Sequence, residues 1–132
     1  MMKFTLGKAE RLKSKKLIER LYEEGNSIKV FPLRMVYLQT EHSSEFPAQV
    51  GVSVPKRNFK SAVDRNRIKR LMREAYRKQK YTVYNELEVP YIFMISYLGK
   101  TAQKYDAIED KMEKLLTSFL QEIKKITKNE EN

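Results

Sequence analysis

The chain contains no cysteine, no tryptophan and a single histidine among its 132 residues. Without cysteine there are no disulfides and no thiolate metal sites, which fits a reducing compartment. His42 stands alone in a polar stretch, so no second His or Cys can join it in a metal site or a nucleophile–base pair. The four glycines are scattered, with neither dinucleotide-binding nor phosphate-loop spacing. No apolar run approaches the roughly 18 residues of a membrane span. The N-terminal MMKFTLGKAERLKSKK lacks the apolar core of a signal peptide, so a cytoplasmic protein is expected.

Acid is scarce where base is dense. Between Lys56 and Lys80 eleven Lys and Arg face two acids, so this segment carries +9 of the formal net charge of +10. The remainder, sixteen basic against fifteen acidic residues, is nearly neutral. Cations clustered this way match a polyanion, since each phosphate they neutralise releases condensed counterions.

The stretch Ser61–Gln79 (SAVDRNRIKRLMREAYRKQ) reads as a helix, with Ser61 as N-cap and Asp64 as a weaker capping-box partner. At about 100° per residue, Ile68, Leu71, Met72 and Ala75 share one face, with Tyr76 at its edge. Asn66, Lys69, Arg70, Arg73 and Arg77 form a stripe on the opposite face, flanked by Arg65 and Arg67. Like charges at these spacings repel by a few tenths of a kcal/mol per pair, roughly. Glu74 lies beyond the stripe's edge, where it is expected to leave that charge unneutralised. Guanidinium groups contact phosphates and base edges bidentately, and Asn66 can both donate to and accept from a 2′-hydroxyl or a base edge. The stripe therefore points to nucleic acid. A solvated basic face and a membrane-surface helix are the competing readings, the latter weakened by an apolar face without Trp or Phe.

The rest of the chain reads as one domain, 1–132, with a frayed tail over about 127–132. Arg11–Gly25 is a first helix, capped by Ser14, with Gly25 suited to a left-handed C′ position. Ile28–Thr40 is rich in β-branched and aromatic residues, and Pro32 argues for a strand that starts after it or sits at an edge, so two or three strands precede the basic helix. With Ala48–Val54 this strand is expected to form an antiparallel hairpin around the polar turn EHSSEFP. Val89–Leu98 is an apolar run suited to a buried strand. A final helix opens at Asp106 and Glu109 and repeats apolar residues from Ile108 to Ile126. The expected architecture is α+β, with helices packed on a mainly antiparallel sheet. No arrangement of acids suggests a protein-borne catalytic centre: Glu23–Glu24, Asp110–Glu113 and Glu130–Glu131 lie on helix surfaces or in the tail, far from the basic segment.

Arg65-Asn66-Arg67-Ile68-Lys69-Arg70, preceded by GVSVPKR and followed by LMREAYR, resembles the signature of the bacterial ribonuclease P protein subunit. RLKSKKLIERLYEEGNS is similar to that family's first helix, PYIFMISYLGK to its apolar strand, and the C-terminal amphipathic helix lies where the family has one. The resemblance implies a two-layer α-β-β-β-α-β-α sandwich with a left-handed βαβ crossover, against the right-handed default for such connections. It implies a protein that binds a large catalytic RNA, which uses magnesium to hydrolyse the phosphodiester that frees the 5′ leader of precursor tRNA. The magnesium is then held mainly by the RNA, and the isolated protein is inactive. Carried over by position, Arg65, Asn66, Arg67, Lys69, Arg70 and Arg73 match the helix that meets the catalytic RNA, with Arg77 further along the stripe. Lys56 and Arg57 match the basic pair after the strand. The leader cleft beside the first helix commonly has two aromatic residues; here Ile18 and Tyr22 stand there. Tyr22, Phe31 and Tyr37 are candidates both for stacking on bases and for core packing. Where the family often shows Ala-Arg-Lys after the later strand, this chain has Ser96-Tyr97-Leu98. A structural ribosomal-type RNA-binding protein without an associated enzyme is the alternative; a helix-turn-helix DNA regulator lacks the paired helices it needs.

Overall fold

A computed structural model describes residues 6–131, with side chains through Lys125. The expected fraying over 127–132 falls on side chains outside the described residues. After a 3₁₀ turn at Lys8–Glu10, the elements are α1 (Lys15–Glu24), β1 (Asn26–Val30), β2 (Leu33–Gln39), β3 (Ala48–Ser53), α2 (Ala62–Tyr84), β4 (Tyr91–Tyr97) and α3 (Tyr105–Glu131). This is the expected α-β-β-β-α-β-α order.

The strands form one open, mixed sheet in the order β1-β2-β4-β3. β1 pairs with β2 and β2 with β4 antiparallel, whereas β3 runs parallel to β4. As Pro32 suggests, a strand starts directly after it: β2 opens at Leu33, and the preceding Ile28–Val30 belongs to β1, which folds back on β2 as a hairpin. One expectation about the strands is corrected. β2 and β3 do not pair. β4 is buried along nearly its whole length and needs a neighbour on each side, so it inserts between them. α2 is then the crossover joining the parallel strands β3 and β4.

Alternation along the strands separates two apolar surfaces. Leu33, Met35 and Tyr37 of β2 and Phe93 and Ile95 of β4 face the main core beneath α2 and α3. Phe119 of α3 packs edge-on against Phe93 at 4.9 Å and Tyr37 at 5.0 Å. Val36, Ile92 and Met94 face the other way, where Leu21 of α1 covers them. α1 starts at its expected cap, Ser14 Oγ accepting the Leu17 N–H at 3.2 Å. Its end differs from expectation: Gly25 has φ −75° and ψ 163°, an extended conformation. Glycine is required there by crowding. A Cβ would strike the Leu21 carbonyl oxygen and stand 2.9 Å from both the Tyr37 oxygen and Val36 Cγ1. α3 begins at Tyr105, which puts Asp106 inside the first turn, where a carboxylate favours the helix dipole.

Candidate nucleic-acid interface

α2 starts where its cap predicts, Ser61 Oγ accepting the Asp64 N–H at 3.4 Å. Ile68, Met72, Ala75 and Tyr76 are buried. That fixes the helix's rotation and turns the opposite stripe outward. Asn66, Arg67 and Arg70 are exposed, and Lys69 and Arg73 half-buried. The helix runs to Tyr84, five residues beyond the expected end.

The loop before α2 is built as firmly as the helix. Arg65 donates to the carbonyls of Phe59 at 2.8 Å and Lys60 at 2.9 Å. Asn58 Nδ2 donates to the Leu98 carbonyl at 3.2 Å, and Phe59 packs on Tyr97. Arg65 therefore ties the loop to the helix start, while Lys56 and Arg57 stay exposed on it. Among the described residues, Lys56, Arg57, Arg67, Lys69, Arg70 and Arg73 have no acidic partner.

Two cations of the basic segment differ from expectation. Glu74 does neutralise part of the stripe: Arg77 grips its carboxylate through Nη2, and through Nε at 3.1 Å. That contact holds the Glu74 carboxyl below the usual carboxylate range and raises Arg77. Lys80 leaves the surface altogether. It is fully buried, with Nζ 2.8 Å from both carboxylate oxygens of Glu10. Tyr84 also donates to Glu10, at 2.9 Å, and Tyr76 donates to Tyr84 at 3.0 Å. Arg73 has its pKa lowered, first by burial and then by the charge of Arg11.

The second candidate surface is the sheet face beside α1. Tyr22 and Phe31 are exposed, at 53% and 59%. Ile18 is half-buried and packs on the Leu12–Leu21 cluster. Tyr37 is on the wrong face for this surface: it is buried against Phe119 under α3 and cannot stack on a base. Position 37 shares strand parity with Leu33 and Met35, which decides its side.

Sequence reasoning missed two cations on the open face. Lys29 pairs across strands with Arg34, Arg34 with Ser96, and Ser96 with Ser53, forming one row over the sheet. The Ser53 and Ser96 hydroxyls lie 3.3 Å apart. Of Ser96-Tyr97-Leu98, Tyr97 points into the core, its hydroxyl donating to the Thr101 carbonyl at 2.6 Å. Ser96 thus lies in the open row, with Arg34 as its direct neighbour. The available signal was Arg34 itself, the lone charge in the stretch FPLRMVYLQT.

His42 stays in the loop between β2 and β3, where Nδ1 accepts the Ser44 N–H at 3.3 Å. Among the described residues no group of three or more His, Cys, Asp or Glu could hold a metal ion, and no helix is long and apolar enough to cross a membrane.

A small α+β protein whose basic helix carries Arg67, Arg70 and Arg73 without acidic partners among the described residues, beside an open sheet face bearing exposed aromatics, is built to hold a polyanion. Comparison with known proteins narrows that class. The sequence profile of the Ribonuclease P family matches residues 6–120, and the chain belongs to that family. It is 43% identical over 91 residues to the ribonuclease P protein component of Porphyromonas gingivalis, covering 68% of this chain and 66% of that protein. The match thus spans just under two thirds of that relative's length. To the component of Borreliella burgdorferi it is 33% identical over 106 residues, 80% of this chain and 85% of that protein. Among solved structures, the RNase P protein of Staphylococcus aureus superposes with a TM-score of 0.68 at 22% identity, over 83% of this chain and 94% of that one. That of Thermotoga maritima gives 0.64 at 19%, over 81% and 94%. At these identities the structures speak for the fold.

Proposed function

We propose that this chain is the protein subunit of a cytoplasmic ribonuclease P, which removes the 5′ leader of precursor tRNA with an RNA as catalyst. The carrying observation is the outward face of α2, where Arg67, Lys69, Arg70 and Arg73 stand beside Asn66 without acidic partners among the described residues. With Lys56 and Arg57 on the braced loop, this surface holds the catalytic RNA. The open sheet face takes the single-stranded leader: Tyr22 and Phe31 offer rings to unpaired bases, and Lys29 and Arg34 offer charge to the backbone between them. The chain's part in the reaction is to bind, orient and screen. Its cations offset the repulsion between the phosphates of the catalytic RNA and those of the substrate, and magnesium, held by the RNA, supplies the charge at the scissile phosphodiester.

Reconstitution tests this. Mixed with its host's ribonuclease P RNA, the protein lowers the magnesium needed to cleave precursor tRNA, and alone it cleaves nothing. Metal-dependent cleavage by protein free of RNA would overturn the assignment. So would co-purification with ribosomal RNA in place of one RNA of another size.

A further inference from the structure

The N-terminal segment carries a cation into the same surface from outside α2. Arg11 is exposed, and its guanidinium makes no hydrogen bond or ion pair among the described residues. With Asn66, Arg70 and Arg73 it lines an open groove of about 590 Å³, in which Glu74, the only acid among the described lining residues, is already held by Arg77.

The position of Arg11 is secured on three sides. Glu10, its neighbour, is locked into the buried cluster with Lys80 and Tyr84. Arg11 itself forms a parallel bridge with Val50 at the edge of the sheet, and the Leu12 N–H donates to the Val50 carbonyl at 2.9 Å. Gln49 Nε2 donates to the Ala9 carbonyl at 3.2 Å. A segment held this firmly keeps an unpaired cation facing other unpaired cations, an arrangement that costs stability unless an anion enters. Burial lowers the pKa of Arg73, and the nearby charge of Arg11 lowers it further.

We propose that this groove seats a backbone phosphate of the catalytic RNA, and that Arg11 is a direct ligand to it together with Arg70 and Arg73. The proposal rests on the reading of α2 as the face that meets that RNA. Three guanidinium groups can surround the non-bridging oxygens with paired N–H donors, while the Asn66 amide can reach the adjoining 2′-hydroxyl. The groove's volume has room for a phosphate and its flanking riboses. Glu10 and Lys80 are positioning residues: they touch no RNA and hold the backbone from which Arg11 reaches.

The test is binding of the host's ribonuclease P RNA across a range of salt, with Arg11→Gln, Arg73→Gln and the double variant. Arg11→Gln is expected to weaken binding and to flatten the log–log salt slope by about 0.7 to 0.9. Because both side chains serve one phosphate, the double variant should lose less than the product of the two single fold-losses. Arg11→Gln indistinguishable from wild type in affinity and slope, beside a clear loss for Arg73→Gln, would sink the Arg11 site and leave the α2 reading intact. No loss from either variant would remove both. Should Arg11→Gln lower the melting temperature, Arg11→Lys separates the causes, because it keeps the stem and the charge. A slope restored to the wild-type value supports the phosphate contact, and one still flattened overturns it.

Discussion

Lys80 and Glu10 lie 70 residues apart in sequence and form a fully enclosed ion pair, with Nζ 2.8 Å from each carboxylate oxygen. The rings of Phe46 and Tyr81 lie over the ammonium at 5.7 and 5.3 Å, and the Tyr84 hydroxyl takes a further acceptor site on the carboxylate. The pair joins the N-terminal turn to the far half of α2, so the two pieces of chain that border the cationic groove cannot drift independently.

Breaking this pair from one side should be severe. Lys80→Met leaves the Glu10 carboxylate buried without its counter-ion and should cost about 3–5 kcal/mol in chemical denaturation. Lys80→Met with Glu10→Leu, which removes both charges, should recover much of that loss. A Lys80→Met protein within about 1 kcal/mol of wild type would refute the buried pair.

Alkaline pH should weaken the fold. Burial raises the Tyr76 hydroxyl above its ordinary range, against an opposing hydrogen bond that it donates to Tyr84. Burial also raises Tyr84, reinforced by Tyr76 and Glu10. Both stay protonated in the folded protein where the unfolded chain ionises, near pH 10 or so. Their contribution is thus complete below about pH 10 and declines above it, by up to about 1.4 kcal/mol per pH unit for each tyrosine. Denaturation midpoints at pH 8 and pH 11, roughly either side of that ionisation, should show the fall, and Tyr76→Phe should make it shallower.

Glu74 restrains the basic stripe of α2. Glu74→Gln removes the carboxylate that Arg77 grips, the only acid lining the groove among the described residues, so RNA affinity should rise and the salt slope steepen by about one contact's worth, 0.7–0.9. Arg70→Ala should move the slope the other way by a similar amount. An unchanged slope in both variants would mean that this face touches no phosphate.

Tyr22 and Tyr37 should part company. Tyr22 is 53% exposed and Tyr37 only 5%. Tyr22→Ala should keep the melting temperature and weaken precursor tRNA with a long leader by about 1–3 kcal/mol, leaving leaderless tRNA unaffected. Tyr37→Ala should cost about 3–5 kcal/mol of stability and harm every partner alike. Equal losses for long-leader and leaderless substrates in Tyr22→Ala would leave the leader surface without support.

The sequence by itself determined the features whose cause is local. Ser14 and Ser61 cap the helices they precede because their hydroxyls meet N–H groups three residues on. The i, i+4, i+7 spacing of Ile68, Met72 and Ala75 turned the opposite stripe outward once that face was buried. The basic helix followed from such short-range signals, whereas the full strand order was implied by the family resemblance. What joins distant parts of the chain was decided only by tertiary structure. β4 separates β2 from β3 because the strand that is apolar on both faces takes the interior of the sheet. Gly25 is a matter of crowding by the Tyr37 backbone and Val36, not of a left-handed turn. Lys80 belongs by composition to the basic segment, yet it is removed from it by Glu10, whereas Arg11, far from that segment in sequence, is carried to its groove. Charge counted along a chain cannot show such exchanges. Whether a cation faces solvent, an acid or another cation depends on which backbones meet, and that is settled by packing the apolar faces together.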